Sequence, residues 1–128
     1  MSARKVALIV DDDPDLVALL RQYLETEGFA VTVADRAIQG VNQYMQDRPA
    51  LMLLDINMPG SDGFFALKRI YASRQRDPQT HRAPIIMISS RDHIHDIEEA
   101  LEYGATDYIT KPIDKVEFIR KLRKHLNY

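Results

Sequence analysis

The chain has no cysteine among its 128 residues, so neither a disulfide framework nor a thiolate metal centre can form. It has no excess of one charge: 17 basic against 19 acidic side chains leave a formal charge of −2. A general attraction to nucleic acid or an anionic membrane is therefore not expected, and any partner must be recognised locally. It also lacks long hydrophobic runs. The N-terminal apolar run Val6 to Val10 is too short for a signal-peptide core, and no stretch approaches membrane-spanning length, so the chain reads as cytoplasmic. No linker, repeat, low-complexity segment, nucleotide P-loop or glycine-rich dinucleotide fingerprint occurs. With 45% apolar and 28% charged residues, residues 1–128 read as a single globular domain that buries roughly two-thirds of its unfolded surface.

What is present is an alternation of strand and helix. Leu51-Met52-Leu53-Leu54 is apolar on both faces, as in the middle of a parallel sheet, and runs into Asp55. Pro59-Gly60 then favours a tight turn that leaves the backbone near Asn57 and Met58 open above the strand end. Lys5 to Val10 is a second such strand, ending on Asp11-Asp12-Asp13, with Pro14 as the first helical residue behind an aspartate cap. Leu16, Leu20, Tyr23 and Leu24 keep helical spacing up to Gly28. Phe29 to Ala34 alternates like an outer strand. The next helix carries Ile38, Val41 and Met45 on one face, with Gly40 permitting a close contact.

Beyond Asp55, Ser61 or Asp62 is positioned to cap a helix carrying Phe64, Leu67, Ile70 and Tyr71. Ser73 to Ala83 reads as a helix end and a polar loop. Pro84 opens the strand Ile85 to Ile88, which ends on Ser89-Ser90. Arg91 to Tyr103 places Ile94, Ile97 and Leu101 at helical spacing. Thr106 to Thr110 is a short last strand before Lys111-Pro112, and a final helix from Asp114 turns Phe118, Ile119, Leu122 and Leu126 inward. Five strand–helix alternations with short connections imply right-handed crossovers and an α/β three-layer sandwich. Its five-stranded parallel sheet, flanked by five helices, is expected in the flavodoxin-like order 2-1-3-4-5.

Open parallel sheets present their chemistry beyond the carboxyl ends of the strands. Four of those ends are chemically matched here: Asp11-Asp12, Asp55, Ser89 and Lys111. Two like charges 4 Å apart cost about 4 kcal/mol at an effective dielectric near 20, so gathered carboxylates call for a cation. Hard oxygen ligands without cysteine or a well-spaced histidine pair suit Mg2+, and Mg2+ beside a carboxylate suggests phosphoryl transfer. Taken singly, Asp11 to Asp13 is a helix cap, Ser89 a turn residue and Lys111 a solvated charge. Their conjunction favours a site.

In these residues, and in Leu-Asp-Ile-Asn-Met-Pro-Gly-x-Asp-Gly around Asp55, the chain resembles a response-regulator receiver domain of two-component signalling over essentially its whole length. The resemblance implies that Asp55 accepts a phosphoryl group from a histidine kinase or histidine phosphotransfer protein. It also implies that Asp11, Asp12, Asp55 and the backbone carbonyl of Asn57 hold Mg2+, and that Lys111 neutralises charge on the transferred group. Ser89 and Tyr108 would act as switch residues, Asn57 and Arg91 would tune phosphoryl lifetime, and the Lys111–Pro112 bond would be cis. Ser89 stands where threonine is commoner in the family. The output would be a population shift on the face formed by the fourth helix, fifth strand and fifth helix, which would bind a protein target or a second subunit without direct contact to nucleic acid or membrane. In this reading the chain is no enzyme beyond its own phosphorylation and dephosphorylation.

Two alternatives carry less weight. A Mg2+-dependent phosphoaspartyl phosphatase of small molecules, resembling the haloacid-dehalogenase family, needs an acid where this chain has Asn57. A non-phosphorylated interaction module of the same fold would not need the complete site.

Overall fold

Continuous apolar segments pair into one parallel sheet of β1 (Val6–Val10), β2 (Ala30–Ala34), β3 (Leu51–Asp55), β4 (Ile85–Ser89) and β5 (Asp107–Thr110), in the order 2-1-3-4-5. The structure is a computed structural model that describes residues 4–58, 61–90 and 94–127, except for the side chains of Ser61 and Asp62. The helices are α1 (Pro14–Thr26), α2 (Ala37–Asp47), α3 (Gly63–Arg76), α4 (Ile94–Glu102) and α5 (Lys115–Leu126). Among the described residues, no helix is long and apolar enough to cross a membrane.

The two-residue period of the strands divides the core. Ala7, Ile9, Leu51, Leu53, Ile86, Ile88 and Ile109 pack with Leu20 and Leu24 of α1 and Phe118 and Leu122 of α5. Leu8, Val10, Met52, Leu54, Met87 and Tyr108 pack on the other face with α2, α3 and Ala100 of α4. Strands buried on both sides need helices on both sides, which gives the three layers. β2 is only partly buried and lies at the edge, as its alternation implies.

Local signals act largely as expected. Asp13 caps α1, its carboxylate accepting hydrogen bonds from Asp15 N and Leu16 N at 3.0 and 3.4 Å. Asp114 caps α5 through Glu117 N at 3.0 Å.

Three expectations are corrected. In α2 the inward stripe is Ala37, Gly40, Val41 and Tyr44, whereas Ile38 is 54% exposed. Gly40 sets this rotation: a Cβ there would lie 2.7 Å from Val10 Cγ2, so the glycine must face the sheet, and a residue two positions away then points outward.

The second correction concerns Ser61 and Asp62, which pair antiparallel with Asn57–Met58 in a short ribbon before α3 begins at Gly63. Gly63 N donates to Ile56 O at 2.9 Å, and a Cβ at Gly63 would fall 2.1 Å from Asp55 O. Only glycine therefore lets α3 start directly against the end of β3. Met58 is buried, not open above the strand, and the Pro59-Gly60 turn lies outside the described residues.

Third, Ile94 and Leu101 of α4 are 66% and 49% exposed, and only Ala100 of that helix is fully buried.

Tyr44 has no place in the expected stripe yet is fully buried at the hub of the polar loop. Its hydroxyl donates to His81 O at 2.7 Å and accepts from Ala83 N at 3.1 Å and from an Arg74 guanidinium nitrogen at 2.6 Å. Tyr44→Phe would strand the buried Ala83 N–H, so it is expected to lower stability by about 1–3 kcal/mol. Urea denaturation should read this as a lower midpoint with an unchanged m value.

Candidate functional site

Parallel pairing brings the acids together. β1 and β3 are neighbours, with Val10 opposite Leu54, so the residues that follow, Asp11 and Asp55, emerge side by side. One carboxylate oxygen from each of Asp11, Asp12 and Asp55 lies within 4.8 Å of the other two. Asp11 and Asp55 are buried, Asp55 being 3% exposed, while Asp12 is exposed at the rim. Lys111, just past β5, reaches across β4 and places Nζ 3.4 Å from Asp55 Oδ1 and 3.8 Å from Asp11 Oδ2. The Lys111–Pro112 peptide is cis.

Hydrogen bonds fix the carboxylates without saturating them. Asp11 Oδ1 accepts from Asp13 N at 2.9 Å, and Asp55 Oδ1 accepts from Asn57 N at 3.3 Å. Asp11 Oδ2 is buried with no hydrogen-bond partner. Asp11 and Asp55 share one ammonium, Asp12 adds a third carboxylate, and the unsatisfied oxygen belongs to a hard donor set. That combination fits a small divalent cation, with Asp11, Asp12 and Asp55 as its protein ligands.

The electrostatics carry the same imbalance. Burial, and then the neighbouring Asp11 charge, push the Asp55 carboxyl from 3.8 up to about 6, although Lys111 and the Asn57 N–H pull the other way. Asp11 is raised too, chiefly by burial, against the Asp13 N–H and Lys111. Each carboxylate is thus held at an energetic cost that a cation would offset.

Ser89 is fully buried at the end of β4. Its carbonyl accepts from Lys111 N at 2.8 Å, and Ile88 before it is the partner of Asp55 in the ladder. By strand alternation Ser89 shares the α3–α4 face with Met87. Tyr108 packs on that face as well and is 6% exposed. Asn57 is exposed beyond β3. The structure thus gathers Asp11, Asp12, Asp55 and Lys111, sets Ser89 at the adjacent strand end, and keeps Tyr108 inside the core. Arg91 lies outside the described residues.

A second charged cluster was not apparent in the sequence. At the start of β5, Asp107 takes Lys121 Nζ at 3.0 Å and His125 Nε2 at 2.7 Å, and Lys121 also donates to Tyr108 O at 2.8 Å. Burial alone would raise the Asp107 carboxyl, but hydrogen bonds from His125, Tyr108 N and Lys121 outweigh it and hold the group below its ordinary value. Lys121 also pairs with Glu117 one turn before it at 3.4 Å, whereas Asp107 comes from a separate strand.

The burdened Asp55 carboxylate makes stability depend on pH. Because its folded pKa is raised, the neutral acid stabilises the metal-free protein. That contribution is complete below the unfolded value of 3.8 and is lost as pH rises through about 6. Asp55→Asn is therefore expected to stabilise the metal-free protein by roughly 1–3 kcal/mol at about pH 7.5 and by less at about pH 5. Urea denaturation in EDTA at the two pH values measures both terms.

Comparison with known proteins places this geometry. The family model for the response regulator receiver domain matches residues 7–123. An uncharacterized 14.6 kDa protein from the sodA1 3' region of Leptolyngbya boryana is 37% identical over 118 residues, covering 92% of this chain and 87% of that protein. The transcriptional regulatory protein CpxR of Escherichia coli K12 is 39% identical over 116 residues, 91% of this chain and 47% of its own length. The chain spans about half the length of the curated transcriptional regulators it matches. Among solved structures, the receiver domain of the sensor histidine kinase PA1611 from Pseudomonas aeruginosa PAO1 is 28% identical with a TM-score of 0.83. The match covers 98% of this chain and 100% of that one, whose active-site cleft coordinates a magnesium ion.

Proposed function

The chain belongs to the response regulator receiver domain family, and from that premise we propose that it is a phosphorylatable switch whose acceptor is Asp55. The observation that carries this reading is the convergence of Asp11, Asp12 and Asp55 within 4.8 Å, with Lys111 Nζ 3.4 Å from Asp55. Residues 1–128 act as one receiver domain in the cytoplasm. The phosphoryl donor is the phosphohistidine of a histidine kinase or phosphotransfer protein. The chain turns over no substrate of its own beyond gaining and losing the phosphoryl group.

In the transfer, an Asp55 carboxylate oxygen forms the new bond to phosphorus as the bond to the donor imidazole nitrogen breaks. The imidazole departs with the electron pair of that bond. Asp55 is the nucleophile only when ionised, and a cation beside it would favour that form over the metal-free carboxyl, whose pKa is raised to about 6. Asp11, Asp12, Asp55 and the carbonyl of Asn57 would hold Mg2+, which when bound would supply positive charge at the phosphoryl group. Lys111 places its ammonium against the charge gathering on the equatorial oxygens. Asn57 and Arg91 govern access of the hydrolytic water.

Once Asp55 is phosphorylated, the Ser89 hydroxyl donates to a phosphoryl oxygen and draws the turn after β4 inward. Tyr108 rotates into the space that turn leaves. Shifting such a switch from 1:99 to 99:1 requires about 5.5 kcal/mol of preference for the active state, to which the new contacts of Ser89 and Lys111 would contribute, together with the charge that Mg2+ would supply when bound. The altered surface is the α4–β5–α5 face, through which a target protein or second subunit is engaged.

Incubation with Mg2+ and acetyl phosphate, followed by intact mass measurement, tests the proposal. The wild type is expected to gain one labile phosphoryl group and Asp55→Ala none. Lys111→Ala should still acquire the group, about 10-fold or more slowly, because charge neutralisation is lost while the nucleophile stays. A wild type that hydrolyses acetyl phosphate catalytically without an adduct would favour the phosphatase instead.

A further inference from the structure

Helix α4 has little to hold it. Its fully buried side chain is the methyl group of Ala100, Ile97 and the following Tyr103 are half-buried, and Ile94 and Leu101 point largely to solvent. On its α3 flank one cation makes several contacts. Lys68 of α3 sets Nζ 2.9 Å from Glu99 Oε1, 4.9 Å from the Tyr103 ring centre and 6.0 Å from that of Phe64. Tyr71 of α3 meets Tyr103 edge-on at 5.3 Å.

The spacing is reciprocal. Phe64, Lys68 and Tyr71 stand one turn apart on α3, and Tyr103, the residue just after α4, stands one turn beyond Glu99. Lys68 also relieves repulsion within α4, where Asp96, Glu99 and Glu102 follow one another at three-residue intervals and Glu98 faces Glu102 at four.

We infer that Lys68 is a regulatory clamp: by gripping Glu99 and Tyr103 it holds α4 in its resting position and sets how readily phosphorylation at Asp55 displaces that helix. The inference rests on the reading that switching moves the α4–β5–α5 face. Strand alternation gives the coupling a physical route, since Ser89 and Tyr108 lie on the sheet face that α4 covers. An exposed ion pair by itself contributes little. Here the same ammonium also sits over aromatic rings, and the helix it restrains has few other anchors. Through linkage, whatever weakens the clamp must raise the affinity for a phosphoryl group or its mimic by the factor by which it favours the displaced state.

The test uses the whole chain with Mg2+ and beryllium fluoride as the phosphoryl mimic, read by calorimetric titration and by hydrogen exchange of α4 and α5 amides. Lys68→Met keeps the aliphatic stem and drops the charge, and Glu99→Gln drops the acid. Each is expected to tighten beryllofluoride binding about fivefold, the equivalent of ~1 kcal/mol, and to speed exchange in α4 but not in α5 before the mimic is added. The double variant should exceed Lys68→Met by no more than about twofold, because loss of the ammonium already abolishes the ion pair that Glu99→Gln removes. The exchange Lys68→Glu with Glu99→Lys should restore slow exchange in α4. Unchanged or weakened binding in the single variants, beside a wild type whose α4 responds to the mimic, would overturn the clamp alone. A wild type that binds the mimic with no response in α4 would overturn the switch reading and the clamp together.

Discussion

Everything at the site follows from carboxylates that adjacent parallel strands deliver to one place. Asp11 and Asp55 cannot separate without breaking the β1–β3 ladder, and their burial removes the water that would screen them. Lys111 answers part of the charge from 3.4 and 3.8 Å, and one Asp11 oxygen is left without a hydrogen bond. The raised Asp55 carboxyl is the thermodynamic signature of that arrangement. The fold gives up stability here to keep three carboxylates in register, as functional sites commonly do.

The rest of the molecule determines where a change at that site can go. Asp55 is hydrogen-bonded into a sheet packed on both faces, and α3 abuts its carbonyl so closely that only glycine fits at position 63. The region below and beside Asp55 is therefore rigid. Ser89 and Tyr108, by contrast, lie on the face covered by α4, whose buried anchor is a single alanine. Rigidity on one side and light anchoring on the other give a direction to any rearrangement. At the far end of β5, Asp107, Lys121 and His125 tie α5 to the sheet.

Much of this was legible in the residues. The doubly apolar runs ending at Val10, Leu54 and Ile88 specified central parallel strands, and the alternation of Phe29 to Ala34 an edge. The acids and the ammonium at the strand ends, which the structure brings together, were legible as well. What was not legible depended on helix rotation and on meetings between distant segments. Ile38, Ile94 and Leu101 fit a helical period, but a period does not tell which of two adjacent stripes faces the sheet. The Gly40–Val10 approach decided that for α2.

The ribbon of Asn57–Met58 with Ser61–Asp62 is similar, because its residues also read as a cap and turn until Gly63 N closes on Ile56 O. Local order of residue types, acting through backbone preference and burial, determined the elements, their succession and the reactive groups at the strand ends. Tertiary structure alone decided the angle at which each helix met the sheet and which side chains became partners. Tyr44 with Arg74, Asp107 with His125 and Lys68 with Glu99 come from different elements, and such pairings exist only once packing has brought those elements within a few ångströms.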